Sequence, residues 1–138
     1  MNLQLIRYYK NLEQVKSQLY VNGELFCEAR EGVGLTRREQ PIEVGWHECT
    51  CMASMLSPMT LKVRRKAGKA TIKIGWNLLR QWETGLICLG DADADEPPEE
   101  RVLIRQQEVF EDFTQRVYEA YVRREPITLE VVERYPAQ

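Results

Sequence analysis

One imidazole and four thiols are the side chains of this sequence most suited to chemistry of their own. His47, Cys49 and Cys51 alternate along one short stretch, so on a strand they share a face, as the ligands of a metal would. The spacing works against that reading. Residues two apart on a strand lie about 6.6–6.8 Å apart, so three in a row span about 13 Å. Zinc gathers its ligands at about 2.0–2.3 Å. A site would need two of the three plus Cys27 or Cys88 from a neighbouring strand, and a partly buried thiol-rich face is the simpler expectation. No metal and no cofactor are expected. His47 could also serve a cysteine as a base, but a Cys–His pair is defined by geometry in space, not by spacing in the chain. Asp91-x-Asp93-x-Asp95 imitates the opening of a calcium loop and fails where that loop is strict. Its sixth position is Glu96 instead of Gly, its twelfth is Val102 instead of Glu, and Pro97-Pro98 interrupts it. A solvated acidic loop is expected there. Glu13, Glu43, Glu48 and Glu83 are too scattered to pair as acid and base, and no phosphate-cradling glycine loop or serine elbow is present.

Basic residues are bunched as well. Lys62, Arg64, Arg65, Lys66, Lys69, Lys73 and Arg80 occur with no acid between Met59 and Gln81. Alternation puts Lys62, Arg64 and Lys66 on the outer face of one strand and Lys73 on the next, a ribbon able to track phosphates. No aromatic residue interleaves with them, which leaves base stacking without support. Over all 138 residues, 19 Lys and Arg face 21 Asp and Glu, a formal net charge of -2. That balance argues against polyanion binding by the whole molecule, so nucleic acid is not the expected partner. With 43% hydrophobic residues, the composition is too apolar for a disordered chain. No basic-then-apolar leader opens the sequence, and no run approaches the ~18 apolar residues that span a membrane. A cytoplasmic protein with reduced thiols and no membrane partner is expected.

These residues must be held by a mostly β framework. Leu3 to Tyr8 reads as a first strand. Asn22-Gly23 between Gln18–Val21 and Glu24–Cys27 is the strongest short hairpin signal, and a two-residue turn pairs Val21 with Glu24, Tyr20 with Leu25 and Leu19 with Phe26. Gly32 to Gln40 should be a loop. Pro41 to Met52 alternates Ile42, Val44, Trp46 and Met52 onto one apolar face. Met59 to Lys66 turns at Ala67-Gly68 into Ala70 to Trp76, with Leu61, Val63, Ile72, Ile74 and Trp76 inward, and Leu86 to Leu89 is a short buried strand. After the acidic loop (91–100) the period becomes helical over 101–125, with Leu103, Gln106, Phe110, Phe113, Val117 and Tyr121 on one stripe and Val109 and Tyr118 beside it. Acids lead that helix and Arg123-Arg124 close it, as the helix dipole favours. Ile127 to Val132 ends the set as a closing strand (126–133). The expected fold is one α+β domain over 1–138: β-rich to residue 90, an antiparallel sheet or open barrel with one long C-terminal helix packed on it.

Over residues 1–90 the layout resembles a family of small bacterial and phage proteins, domain of unknown function 5675. Members open with a leucine–isoleucine–arginine strand and a hairpin ending in Asn/Asp-Gly; Leu5-Ile6-Arg7 and Leu19-Tyr20-Val21-Asn22-Gly23 stand here. Pro41-Ile42-Glu43-Val44-Gly45-Trp46 is similar to a reordered form of the family's Ile-Pro-x-Gly-x-Tyr strand. Two further family stretches, Ile-His-x-Gly-Asn and Asp-Thr-x-Gly-Cys-Ile-x-Val-Gly, are similar to Ile72-Lys73-Ile74-Gly75-Trp76 and Glu83-Thr84-Gly85-Leu86-Ile87-Cys88-Leu89-Gly90. The family's His and Cys have the order found in L,D-transpeptidases. Lys73 stands at the His position and Leu86 at the Cys position, with Cys88 displaced by ~6.6 Å along the strand. Attack needs contacts of roughly 3 Å, and lysine is a poor base near neutrality. The resemblance therefore implies a non-enzymatic binding or structural module, with a protein partner, in a prophage, conjugative element or secretion apparatus. The alternative it leaves is a degenerate cysteine acyl-transferase or hydrolase using Cys88 with Lys73, Glu83 or His47. Polyanion binding by Lys62, Arg64, Lys66 and Lys73 is a third reading.

Overall fold

The computed structural model describes residues 1–54, 57–66, 71–77 and 82–136. Eight strands form its wall: β1 (Asn2–Lys10), β2 (Gln14–Val21), β3 (Glu24–Gly32), β4 (Gly45–Ser54), β5 (Ser57–Arg64), β6 (Thr71–Gly75), β7 (Leu86–Gly90) and β8 (Ile127–Glu133). They run in the order β1-β2-β3-β7-β6-β5-β4-β8 and close on themselves. The barrel is thus closed rather than open, and mixed rather than antiparallel: β1 lies parallel to β8, and β6 parallel to β7. Periodicity within a strand carries no record of which strands meet, so neither closure nor the parallel pairs could be read from it.

The hairpin forms where Asn22-Gly23 permits it, with φ of 50° and 85°. Val21 pairs with Glu24 and Tyr20 with Leu25, but a bulge then pairs Leu19 with Cys27 instead of Phe26. The bulge brings Cys27 into the core beside Leu19 and leaves Phe26 to meet the helix. β2 and β3 both extend past the apolar runs through Lys16, Glu28, Arg30 and Glu31, charged residues that are nonetheless buried.

Leu3, Leu5, Leu19, Ala29, Leu61, Val63, Ile72, Ile74, Ile87 and Leu89 fill the barrel together with Ile127, Leu129 and Val131. The helix α1 (Gln106–Val122) contributes Phe113, Val117 and Ala120 to the same core. Phe113 meets Phe26 with ring centroids 6.0 Å apart. The helix is shorter than the expected 101–125. Arg105 takes a left-handed backbone (φ 53°) and resets the chain direction, while Ile104 is bridged to Asp91 and Leu103 is buried before the helix begins. Tyr118 and Tyr121, expected on or beside the buried stripe, are about half exposed. The turn expected at Ala67-Gly68 lies outside the described residues.

The acidic loop keeps its carboxylates in water, but its backbone is tied to the barrel. The Lys16 ammonium donates to the carbonyls of Pro98, Glu99 and Arg101 at 2.8, 3.0 and 2.8 Å. Arg30, wholly buried, donates to Glu28 and to the Arg101 carbonyl, and the Tyr8 hydroxyl bonds Glu28. Beyond the end of β3, segment 33–44 is held the same way. Arg65 donates to the carbonyls of Arg38, Gln40 and Pro41, and Arg7 to that of Ile42. Glu31, also buried, accepts from Arg7 and from the Ile42 amide. Two surface segments are therefore pinned by buried cations on backbone carbonyls, which apolar patterning does not reveal.

Candidate functional site

β4 decides where the chemistry-bearing residues point. Its apolar alternation predicts Ile42, Val44, Trp46 and Met52 inward, and the structure reverses this for all but Ile42. Val44, Trp46 and Met52 are 47%, 61% and 46% exposed, whereas His47 is buried and Cys49 and Cys51 pack against the core. The switch falls between Ile42 and Val44, just before β4 begins at Gly45, whose φ of 116° is open to glycine and strained for other residues. Ile42 comes before it and faces in; the strand proper comes after it in the opposite phase. His47 and Cys49 stand beside Leu129 and Ile127 of β8, and Cys51 beside Leu61 of β5. A thiol is small and apolar enough for such a face. The His47 ring nitrogens lie 2.7 and 2.6 Å from the carbonyl oxygens of Arg64 and Glu43, which leaves neither nitrogen for a metal or a thiol. Among the described residues no three His, Cys, Asp or Glu side chains converge as ligands.

All four cysteines are free thiols. Cys88 is wholly buried, and burial, with the Glu83 carboxylate adding to it, pushes its thiol up to about 12. Burial pushes Cys49 up to about 12 as well, and raises Cys27 and Cys51. Cys88 alternates with the core residues Ile87 and Leu89, and so lies on the outer side of the wall, under cover. His47 faces the interior three strands away. Of the other three catalytic candidates, then, only Glu83 acts on the Cys88 thiol, and it raises that thiol's pKa. Lys73 and Leu86, the positions that the family resemblance aligns with a His and a Cys, are register partners across β6 and β7. Lys73 is exposed there, and its row holds no thiol.

The basic ribbon is real on the described residues, and Lys69 and Arg80 lie outside them. Lys62 and Lys73 are direct cross-strand partners, and Arg64 pairs with Thr71. The Lys62 row continues to Thr50 on β4 and, through Lys73, to Leu86 on β7. Arg64, Lys66 and Lys73 are exposed and Lys62 half-buried. Arg65, from the same run of sequence, turns inward to hold segment 33–44. Among the described residues, Lys62, Arg64, Lys66 and Lys73 make no ion pair, whereas Arg7, Arg30, Arg65, Arg105 and Arg123 each do.

Trp46 stands beside this ribbon and was not legible as a surface residue. On its other side it walls an open groove of about 370 Å³ with Asn2, Leu3, Gln4, Asn22 and Gly23. No family model, curated protein or solved structure matches this chain.

Proposed function

We propose that this chain is a non-catalytic binding module, in the setting of a prophage, conjugative element or secretion apparatus that the family resemblance implies. The outward face of β4 carries the reading: a strand that turns Trp46 and Met52 to solvent, just after an exposed Val44, with small thiols inside, forgoes burial worth about 1.5–3 kcal/mol for each large side chain. An exposed apolar face of this kind marks contact surfaces. The thiols support it by their chemistry. Nucleophilic cysteines need a thiolate, and a thiol displaced to about 12 is about one part in ten thousand ionised at pH 8. No helix among the described residues is long and apolar enough to cross a membrane.

Iodoacetamide labelling of the native protein, mapped by mass spectrometry, tests this reading. Cys51, the least buried thiol, labels first, and Cys88 stays unmodified until the protein unfolds or the pH approaches about 12. Rapid labelling of native Cys88 near neutrality would restore the cysteine-enzyme reading.

A further inference from the structure

We infer that the outer face of β4, β5 and β6 binds single-stranded nucleic acid, with phosphates on the basic ribbon and a base against Trp46. The inference rests on the binding-module reading and names its ligand. Like charges placed directly across a strand pair destabilise it, and Lys62 faces Lys73 with no acid in the row Thr50–Lys62–Lys73–Leu86. Arg64 lies one row away. Lys66 lies against the start of β4, where a Cβ added to Gly45 would stand 2.2 Å from its ammonium. Gly45, next to Trp46, thus leaves room for a cation beside it. The buried cations Arg7, Lys16, Arg30 and Arg65 are matched to carboxylates or carbonyls, and Lys10 and Arg116 lie over aromatic rings; the cations of this face cluster with no such partner among the described residues.

Trp46 supplies the second, independent element. Bases of single strands stack on exposed aromatic rings and offer their edges to amides. The groove beside Trp46 carries Asn2, Gln4 and Asn22, of which the Gln4 NH₂ donates to Glu130 at 2.8 Å. The Asn22 Oδ1 accepts from the Asn2 amide N–H at 2.8 Å, and its own NH₂ has no partner among the described residues. From Trp46 to the Lys62 row the strand rises about 13 Å, room for a short stretch of nucleotides. A lipid surface fits less well, because the groove is lined by Asn2, Gln4 and Asn22, and exposed Glu48 stands between Trp46 and Met52 on the same face. A duplex fits less well too, since reading it takes an element that enters a groove, and this is a barrel wall. Exposed Glu48 follows Trp46 on the same outer face and works against the ligand's charge.

Fluorescence anisotropy of a labelled oligothymidine of about a dozen nucleotides, a length within the usual range of single-strand sites, provides the test. Binding should weaken with salt at a log–log slope of about -2 to -3, as three or four phosphate contacts on a single strand require. Lys62→Gln/Lys73→Gln should weaken it tenfold or more at low salt and reduce that slope. Trp46→Ala should weaken it about five- to a hundredfold, and Glu48→Gln should tighten it. Circular dichroism and thermal midpoints of these surface variants confirm that each is folded. No binding at low salt, binding indifferent to both Lys62→Gln/Lys73→Gln and Trp46→Ala, equal competition by duplex, or preference for vesicles of anionic phospholipid would each overturn the inference. Such a failure alongside inert Cys88 leaves the binding-module reading standing; reactive Cys88 removes that reading by itself.

Discussion

Glu31 and Arg7 are buried to 1% and 4% exposure, and the pair holds segment 33–44 to the barrel through Ile42. Their bond is bidentate, with Nη2 at 3.1 Å from both carboxylate oxygens, yet burial outweighs Arg7 and raises the Glu31 carboxyl above its usual range. A buried pair whose desolvation exceeds its attraction adds little net stability, but losing one partner strands the other. Glu31→Ala should therefore cost about 3–5 kcal/mol in urea unfolding, while Arg7→Met/Glu31→Leu should cost far less. The sign with pH follows from linkage. A carboxyl raised in the folded state binds its proton more readily there than in the unfolded chain, so stability falls as pH rises from about 4.5 through the raised value. Measured against Glu31→Gln at each pH, the native protein should lose relative stability across that window. A flat difference would mean that the guanidinium and the Ile42 amide fully offset burial. The sequence could not announce this pair: Arg7 closes an apolar run and Glu31 sits in a charged one, and only the β1–β2–β3 pairing brings them together.

At the scale of elements, local turn chemistry was legible and facing was not. Asn22-Gly23 predicts its hairpin because both residues accept positive φ, and β1, β7 and β8 fall where short apolar runs predict strands. β4 is misread because alternation gives two faces without saying which is inside. Its thiol face looks functional and is core; its apolar face looks like core and is surface. The helix is overextended in the sequence reading because Leu103 and Gln106 continue its period, whereas left-handed Arg105 ends the extended segment between them. These assignments separate in stability. Phe113→Ala removes the largest helix side chain in the core and should cost about 3–5 kcal/mol. Trp46→Ser should change stability by less than about 0.5 kcal/mol, as exposed positions do. Urea midpoints at constant m-value measure both, and a large loss for Trp46→Ser would place the indole back among the core contacts and undermine its role as a surface residue.

Across the whole molecule, the last strand closes the barrel. β8 pairs parallel with β1 from Asn2–Thr128 to Arg7–Glu133 and antiparallel with β4 from Gly45–Val131 to Cys49–Ile127. Its Ile127, Leu129 and Val131 all lie in the core. Without it, β1 and β4 become open edges with unpaired amides and carbonyls, which water satisfies in part but which also recruit other chains. Three core side chains, at about 1.5–3 kcal/mol each, are lost at the same time. That sum rivals the 5–15 kcal/mol that holds a typical domain together. Removal of residues 127–138 should therefore abolish the cooperative urea transition and give a chain that self-associates, read by near-ultraviolet circular dichroism and light scattering. The acidic loop 91–100 should by contrast tolerate Asp93→Asn and Asp95→Asn with no change in midpoint, because its attachment is through backbone carbonyls to Lys16 and Arg101 rather than through these two acids. A cooperative transition that survives loss of β8 would mean that β1 and β4 can meet without it, and that closure is a property of the first seven strands.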